Sequence, residues 1–112
     1  MCINNMKEMK NDNYVALDAE MFNFEYWFSE TDPKKLQQQV GKILLDCEFK
    51  VVQFSDHSFP INGYTAVWLL AESHLAIHTF PNKNKTYLQI SSCNNNKLKK
   101  LKSKIKTLFK NY

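Results

Sequence analysis

There is no arginine among the 112 residues, although the chain carries 15 basic ones. Base-specific reading of nucleic acid usually relies on the planar guanidinium fork, so no specific nucleic-acid partner is expected. Cysteine is scarce and odd in number: Cys2, Cys47 and Cys93, with no C-x-x-C pair. That argues against a disulfide framework and a four-cysteine zinc site; the plain expectation is three free thiols in a reducing compartment. No hydrophobic run approaches the roughly 20 residues of a membrane span. The opening MCINNMKEMK has no apolar core of the kind a signal peptide needs. A cytoplasmic location and no membrane partner are therefore expected. Of the two glycines, neither belongs to a G-x-S-x-G nucleophile elbow.

Hydrophobic residues make up 44% and charged residues 23%, the balance of a folded chain. The length suits a single domain spanning 1–112. A domain this short buries only about 60–70% of its unfolded surface, which favours self-association. The net charge of +4 is unevenly spread. Through Cys93 there are eight lysines against eleven acids, or −3; the last nineteen residues add seven lysines and no acid, or +7.

Along the chain, YVALDAEMFNF alternates as a strand, with Tyr14, Ala16, Asp18 and Glu20 opposite Val15, Leu17, Ala19 and Met21. SETDPKK opens a helix, with Asp32 as cap and Pro33 at its first position. Leu36, Val40, Ile43, Leu44 and Cys47 then form an apolar stripe opposite Lys34, Lys35, Gln38 and Lys42. FKVVQF is a second strand, SDHSFPING a loop, YTAVWLLA a central third strand and HLAIHTF a fourth. Only Glu72 and Ser73 lie between the last two with any freedom, so a tight antiparallel hairpin is expected. TYLQISS is a fifth strand, and the lysine-rich end is a helix capped within Asn94–Asn96, with Leu98, Leu101, Ile105 and Leu108 as its stripe. This order gives an α/β (α+β) two-layer sandwich, an antiparallel sheet covered by two helices. Trp68 and its neighbours are expected on the uncovered face, where a second subunit could pack.

The polar residues of LLAESHLAIHTF need separate weighing. His57, His74 and His78 are spaced by 17 and 4. On a strand, an i, i+4 pair shares a face but stands about 13 Å apart, so no metal site is expected. Spacing alone makes Ser73 a turn cap, Glu72 a solvated acid and Cys93 a strand-end thiol.

The segment AESHLAIHTFP, however, resembles the self-cleavage segment of bacterial and archaeal S-adenosylmethionine decarboxylases, E-S-H followed by I-H-T-W-P. The cysteine expected twenty residues after the cleavage serine is present as Cys93. The FP-x-x-G loop ahead of the motif is matched by Phe59, Pro60 and Gly63. The similarity runs from about Val15 to the last helix, and the element order agrees.

The resemblance implies a decarboxylase made as a proenzyme, with an S-adenosylmethionine decarboxylase-like fold. Its cofactor would be a pyruvoyl group generated from Ser73, with neither metal nor pyridoxal phosphate. Self-cleavage between Glu72 and Ser73 would give chains 1–72 and 73–112. Glu72 supplies the attacked carbonyl, His78 the acid/base for processing, and Thr65, where relatives carry a serine, a processing aid. The pyruvoyl carbonyl would take the substrate amine as a Schiff base, and Cys93 would return a proton after carbon dioxide leaves. Phe59 and Phe80 occupy the adenine-stacking places; Phe80 replaces the usual tryptophan. Asn82 stands where relatives hold the ribose with an acid, and Gln89 where they often carry another acid. The resemblance further implies a homodimer of cleaved protomers with sites shared between subunits, and a product that donates aminopropyl groups for spermidine, hence polyamine, synthesis. Many relatives also add a strand after the final helix. Loss of the ribose acid keeps two rivals in view: a pyruvoyl-dependent arginine or ornithine decarboxylase, and an inactive or regulatory homologue.

Overall fold

A computed structural model describes residues 3–4 and 18–110. Two two-residue strands, β1 (Ile3–Asn4) and β2 (Asp18–Ala19), pair antiparallel. The main sheet holds β3 (Phe22–Phe28), β4 (Val51–Ser58), β5 (Tyr64–Leu70), β6 (Ser73–Phe80) and β7 (Lys85–Ser92). Its order is β3-β7-β6-β5-β4, antiparallel throughout. Helices α1 (Pro33–Asp46) and α2 (Asn95–Leu108) supply the second layer.

Both helices begin as their sequences dictate. The Asp32 carboxylate accepts from the Lys35 amide at 3.0 Å, and Asn94 Oδ1 accepts from the Lys97 amide at 3.1 Å. Each satisfies one of the amides that a helix start leaves unpaired. The expected α1 stripe is buried through Cys47. In α2, Leu98, Leu101 and Ile105 are buried, but Leu108 is 46% exposed. Phe109 completes the stripe instead, because the chain leaves helical geometry there and turns its ring inward. That ring stacks on Phe28 at 4.2 Å, and the Phe109 carbonyl accepts from Tyr26 Oη at 3.0 Å.

The strand expected over 14–24 lies partly outside the described residues; β3 itself runs further, carrying Phe24, Tyr26 and Phe28 on its inner side. Strand β4 also extends through Ser55–Ser58, which the sequence places in a loop. It is an edge strand with only β5 as partner, so polar residues facing water cost it little. Trp68 lies beneath the helices at 4% exposure, beside Phe54 and Gly41, and not on the open face. Strand β5 is apolar at nearly every position, so the side chains alone did not tell its two faces apart. The open face shows Val67, Leu69 and Trp27, each 37–46% exposed. Among the described residues no helix is long and apolar enough to cross a membrane.

Candidate active site

The sequence places Glu72 and Ser73 in the β5–β6 turn. The structure makes that turn Ala71 and Glu72, with Ser73 opening β6 and paired across to Leu70. Turning in two residues forces Glu72 to φ 58°, the left-handed region. A side chain held there costs about 1–3 kcal/mol and usually gives way to glycine. The turn is anchored by the Ala71 amide, which donates to the Lys50 carbonyl at 3.0 Å. Strain is thus held on Glu72, immediately before Ser73.

Strand β7 brings Ser92, and Cys93 just past its end, to this end of the sheet. Ser73 lies directly opposite Ser92, and its hydroxyl donates to Ser92 Oγ at 2.9 Å. One residue on, Cys93 Sγ stands 3.3 Å from the Glu72 carbonyl oxygen and 3.9 Å from Glu72 Oε1. The expectation of three free thiols is corrected here: Cys93 is disulfide-bonded, and Cys47 is the free cysteine among the described residues. The position of Cys93 past the end of β7, half-buried rather than sealed in the core, leaves its sulfur open to oxidation. Cys47 is 1% exposed, and burial pushes its pKa up against the opposing pull of Lys104.

A second cluster occupies the open face toward the other end of the sheet. Thr65 Oγ1 and His78 Nδ1 are hydrogen-bonded at 3.0 Å across the β5–β6 pair. The His78 ring lies nearly parallel to Tyr87 at 6.4 Å, and Tyr87 abuts Trp27 at 4.9 Å. Trp27 also meets Phe80 at 5.9 Å and carries the Lys85 ammonium 4.8 Å over its ring. Burial, followed by a hydrogen bond to Glu25, raises the pKa of the Tyr87 phenol. Phe59 lies edge-on to His57 at 4.7 Å, at the mouth of the loop that Gly63 closes. Gly63 has φ 123°, a backbone conformation that side-chain-bearing residues rarely adopt, so glycine suits the position; a Cβ would meet the Thr79 carbonyl only at ordinary contact distance, 3.5 Å. An open pocket of about 480 Å³ is lined by Phe59, Ile61, Gly63, Tyr64, Thr79 and Pro81 among others. Asn82 is exposed on the 3-10 turn that follows.

The structure therefore joins Glu72, Ser73 and Cys93, and separately joins Thr65 with His78. It does not bring the two groups together in one chain. Ser73 and His78 are five residues apart on one strand, an odd interval that places them on opposite faces and roughly 16 Å apart along it. Sequence reasoning missed Ser92 and Trp27. Counting back from the hairpin register would have found Ser92; nothing in the linear pattern marked Trp27. Among the described residues no group of His, Cys, Asp and Glu is placed to hold a metal ion.

A strained Glu72, a buried Ser73 and a cysteine sulfur at the Glu72 carbonyl thus meet at one end of a two-layer α/β sandwich. The chain matches the S-adenosylmethionine decarboxylase family model over residues 12–111, and it belongs to that family. Relatives named S-adenosylmethionine decarboxylase proenzyme include one from Syntrophomonas wolfei, 32% identical over 62 residues, covering 55% of this chain and 49% of that protein. Another, from Methanococcus aeolicus, is 35% identical over 75 residues, covering 62% of each. A third, from Methanococcus maripaludis strain C5, is 30% identical over 73 residues, covering 62% of this chain and 60% of that protein. The chain thus spans about half to six-tenths of the length of these relatives. The fold is similar to the crystal structure of the adenosylmethionine decarboxylase from Aquifex aeolicus VF5. The TM-score is 0.67 at 19% identity, over 80% of this chain and 79% of that one.

Proposed function

We propose that the protein is a pyruvoyl-dependent decarboxylase of S-adenosylmethionine, made by self-cleavage at Glu72–Ser73. The observation that carries this reading is the left-handed Glu72 with the Cys93 sulfur 3.3 Å from its carbonyl oxygen. In the first step Ser73 Oγ adds to the Glu72 carbonyl carbon, its proton passes to the amide nitrogen, and the C–N bond breaks to leave an ester. As a thiol, Cys93 can donate to the oxygen on which negative charge develops. A base then removes the Ser73 Cα proton, and the Cβ–O bond breaks. The oxygen leaves with the new Glu72 carboxylate, and residue 73 becomes dehydroalanine. Tautomerisation and uptake of one water release one ammonia and leave a pyruvoyl group on chain 73–112.

The residues fit that group: a serine at the first position of a strand, its hydroxyl held, with a sulfur beside the scissile carbonyl. The pyruvoyl carbonyl supplies an electron sink for loss of the substrate carboxylate. Cys93 is then positioned to return a proton to the substrate carbon. A thiol is mostly protonated near neutral pH, so the role needs Cys93 reduced, which suits the cytoplasm.

His78 and Thr65 serve processing from a second copy of the chain. Their separation from Ser73 in one chain, and the exposed Val67, Leu69, Trp27 and Phe80 around them, favour a homodimer packed on the open sheet face. Because Ser73 itself faces the helices, the partner's imidazole would approach it around the sheet end, at the Ala71–Glu72 turn. Phe59 and Phe80 would contact the adenine, and Asn82 the ribose. The product would serve as the aminopropyl donor of spermidine synthesis. Carbon dioxide release from carboxyl-labelled S-adenosylmethionine by reduced, cleaved protein tests the reading; no release would overturn it.

A second reading, decarboxylation of arginine or ornithine, draws on one observation. Glu25 lies directly opposite Gln89, so a carboxylate is available on the open face although positions 82 and 89 are amides. A guanidinium or amine needs such a group.

A further inference from the structure

We infer that Ser92 is the positioning residue for self-cleavage, holding the Ser73 hydroxyl in the rotamer from which it attacks; this rests on the processing reading above. A serine side chain ordinarily samples three staggered wells. Ser73 is fixed in one, because its hydroxyl donates to Ser92 Oγ at 2.9 Å while Ser73 is 7% exposed and Ser92 fully buried. The pair sits at matched positions of β6 and β7, so backbone hydrogen bonding sets its spacing. Ser92 is itself held from behind: its Oγ accepts the Asn94 amide at 3.0 Å, and Asn94 caps α2. Both acceptor positions of that oxygen are then used. The start of α2 is thereby coupled to the nucleophile through one serine.

Ser92 is no base, since its hydroxyl does not titrate near neutral pH. It fixes direction and, by accepting the hydrogen bond, leaves the Ser73 oxygen more electron-rich. When Oγ bonds to the Glu72 carbon, the proton goes on to the leaving nitrogen and the contact to Ser92 is released. The step that depends on Ser92 is therefore ester formation, before any Cα proton is removed.

The experiment compares cleavage rates of reduced full-length wild type, Ser92→Ala and Ser92→Thr by intact mass, with and without hydroxylamine. Hydroxylamine cuts an accumulated ester but not an amide held in place. Wild-type chains that stay whole would remove the processing reading itself. With wild type cleaving, Ser92→Ala is expected to be slower by about 10- to 100-fold, the scale of misplacing a reacting group by an ångström. Hydroxylamine should not restore its rate, and Ser92→Thr, which keeps the hydroxyl, should recover most of it. Cleavage of Ser92→Ala at the wild-type rate would overturn the inference. So would restoration by hydroxylamine, which would move the defect to a later step, or a Ser92→Thr variant no faster than the alanine one.

Discussion

Ser73 and His78 share strand β6 but face opposite sides of the sheet. Ser73 is turned toward the helices and bonded to Ser92, while His78 lies on the open face bonded to Thr65. They also stand roughly 16 Å apart along the strand, too far for direct proton transfer within one chain in this geometry. A second copy packed on the open face would bring another His78 to that face, and it would have to reach Ser73 around the sheet end, at the Ala71–Glu72 turn.

That relationship predicts complementation. His78→Ala alone should cleave slowly, by the 10²- to 10⁴-fold typical of a lost acid/base. Ser73→Ala alone should not cleave at all. Co-expressed, the two should form mixed dimers in which the His78→Ala chain is cut with help from its partner's histidine. Intact mass of differently tagged chains reads this directly. Absence of cleavage in mixed dimers shown to have formed would place His78 outside the partner's site.

Cys93→Ala should still cleave, more slowly if the thiol stabilises the charge developing on the Glu72 oxygen 3.3 Å away. Its decarboxylation per cleaved chain should fall by about 10²-fold or more. Misplaced protonation should also move the substrate amine onto the pyruvoyl and inactivate the enzyme during turnover. Wild-type protein should lose activity when Cys93 is oxidised and regain it with reductant. Full turnover of the reduced alanine variant would take Cys93 out of the mechanism.

Much of this was legible before the structure. The Asp32 cap, a cap within Asn94–Asn96, the α1 stripe, the α2 stripe except Leu108 and the three strands from Tyr64 to Ser92 follow from periodicity and capping chemistry, and the structure repeats them. Where both faces of a strand are apolar, as in β5, alternation carries no information, and Trp68 was assigned to the wrong side. Polar Ser55–Ser58 read as loop because an edge strand has no burial to mark it. At the site, the motif named Ser73, His78 and Cys93, but a linear spacing does not say which of them share a face. The five-residue interval does so only once both are known to lie on one strand.

Substrate choice is settled by carbon dioxide release from S-adenosylmethionine, arginine and ornithine in parallel. S-adenosylmethionine is expected to be the substrate, with Phe59→Ala and Phe80→Ala raising KM more than they lower kcat. Release from arginine or ornithine alone would promote the second reading. Glu25→Gln should then abolish it, because the carboxylate opposite Gln89 would be holding the cation.

The lysine-rich helix gives a stability contrast. Leu101 is fully buried. Leu101→Asp should cost at least about 3 kcal/mol, from lost apolar contact and a buried charge. Lys102 and Lys106 stand 5.5 and 5.9 Å over the Phe24 ring. Reversing both should cost only about 1 kcal/mol, the scale of exposed cation–π contacts, and leave cleavage nearly unchanged. Denaturant unfolding measures both. A folded, active Leu101→Asp protein, with salt-sensitive binding to anionic vesicles or DNA lost in the lysine variant, would make the helix a recognition surface instead.

The most direct test is the mass of the purified, reduced protein after incubation at neutral pH. The account predicts two chains, residues 1–72 and a second beginning at former Ser73 with a blocked pyruvoyl terminus, while Ser73→Ala remains a single chain of 112 residues. Wild-type protein that stays whole would contradict it.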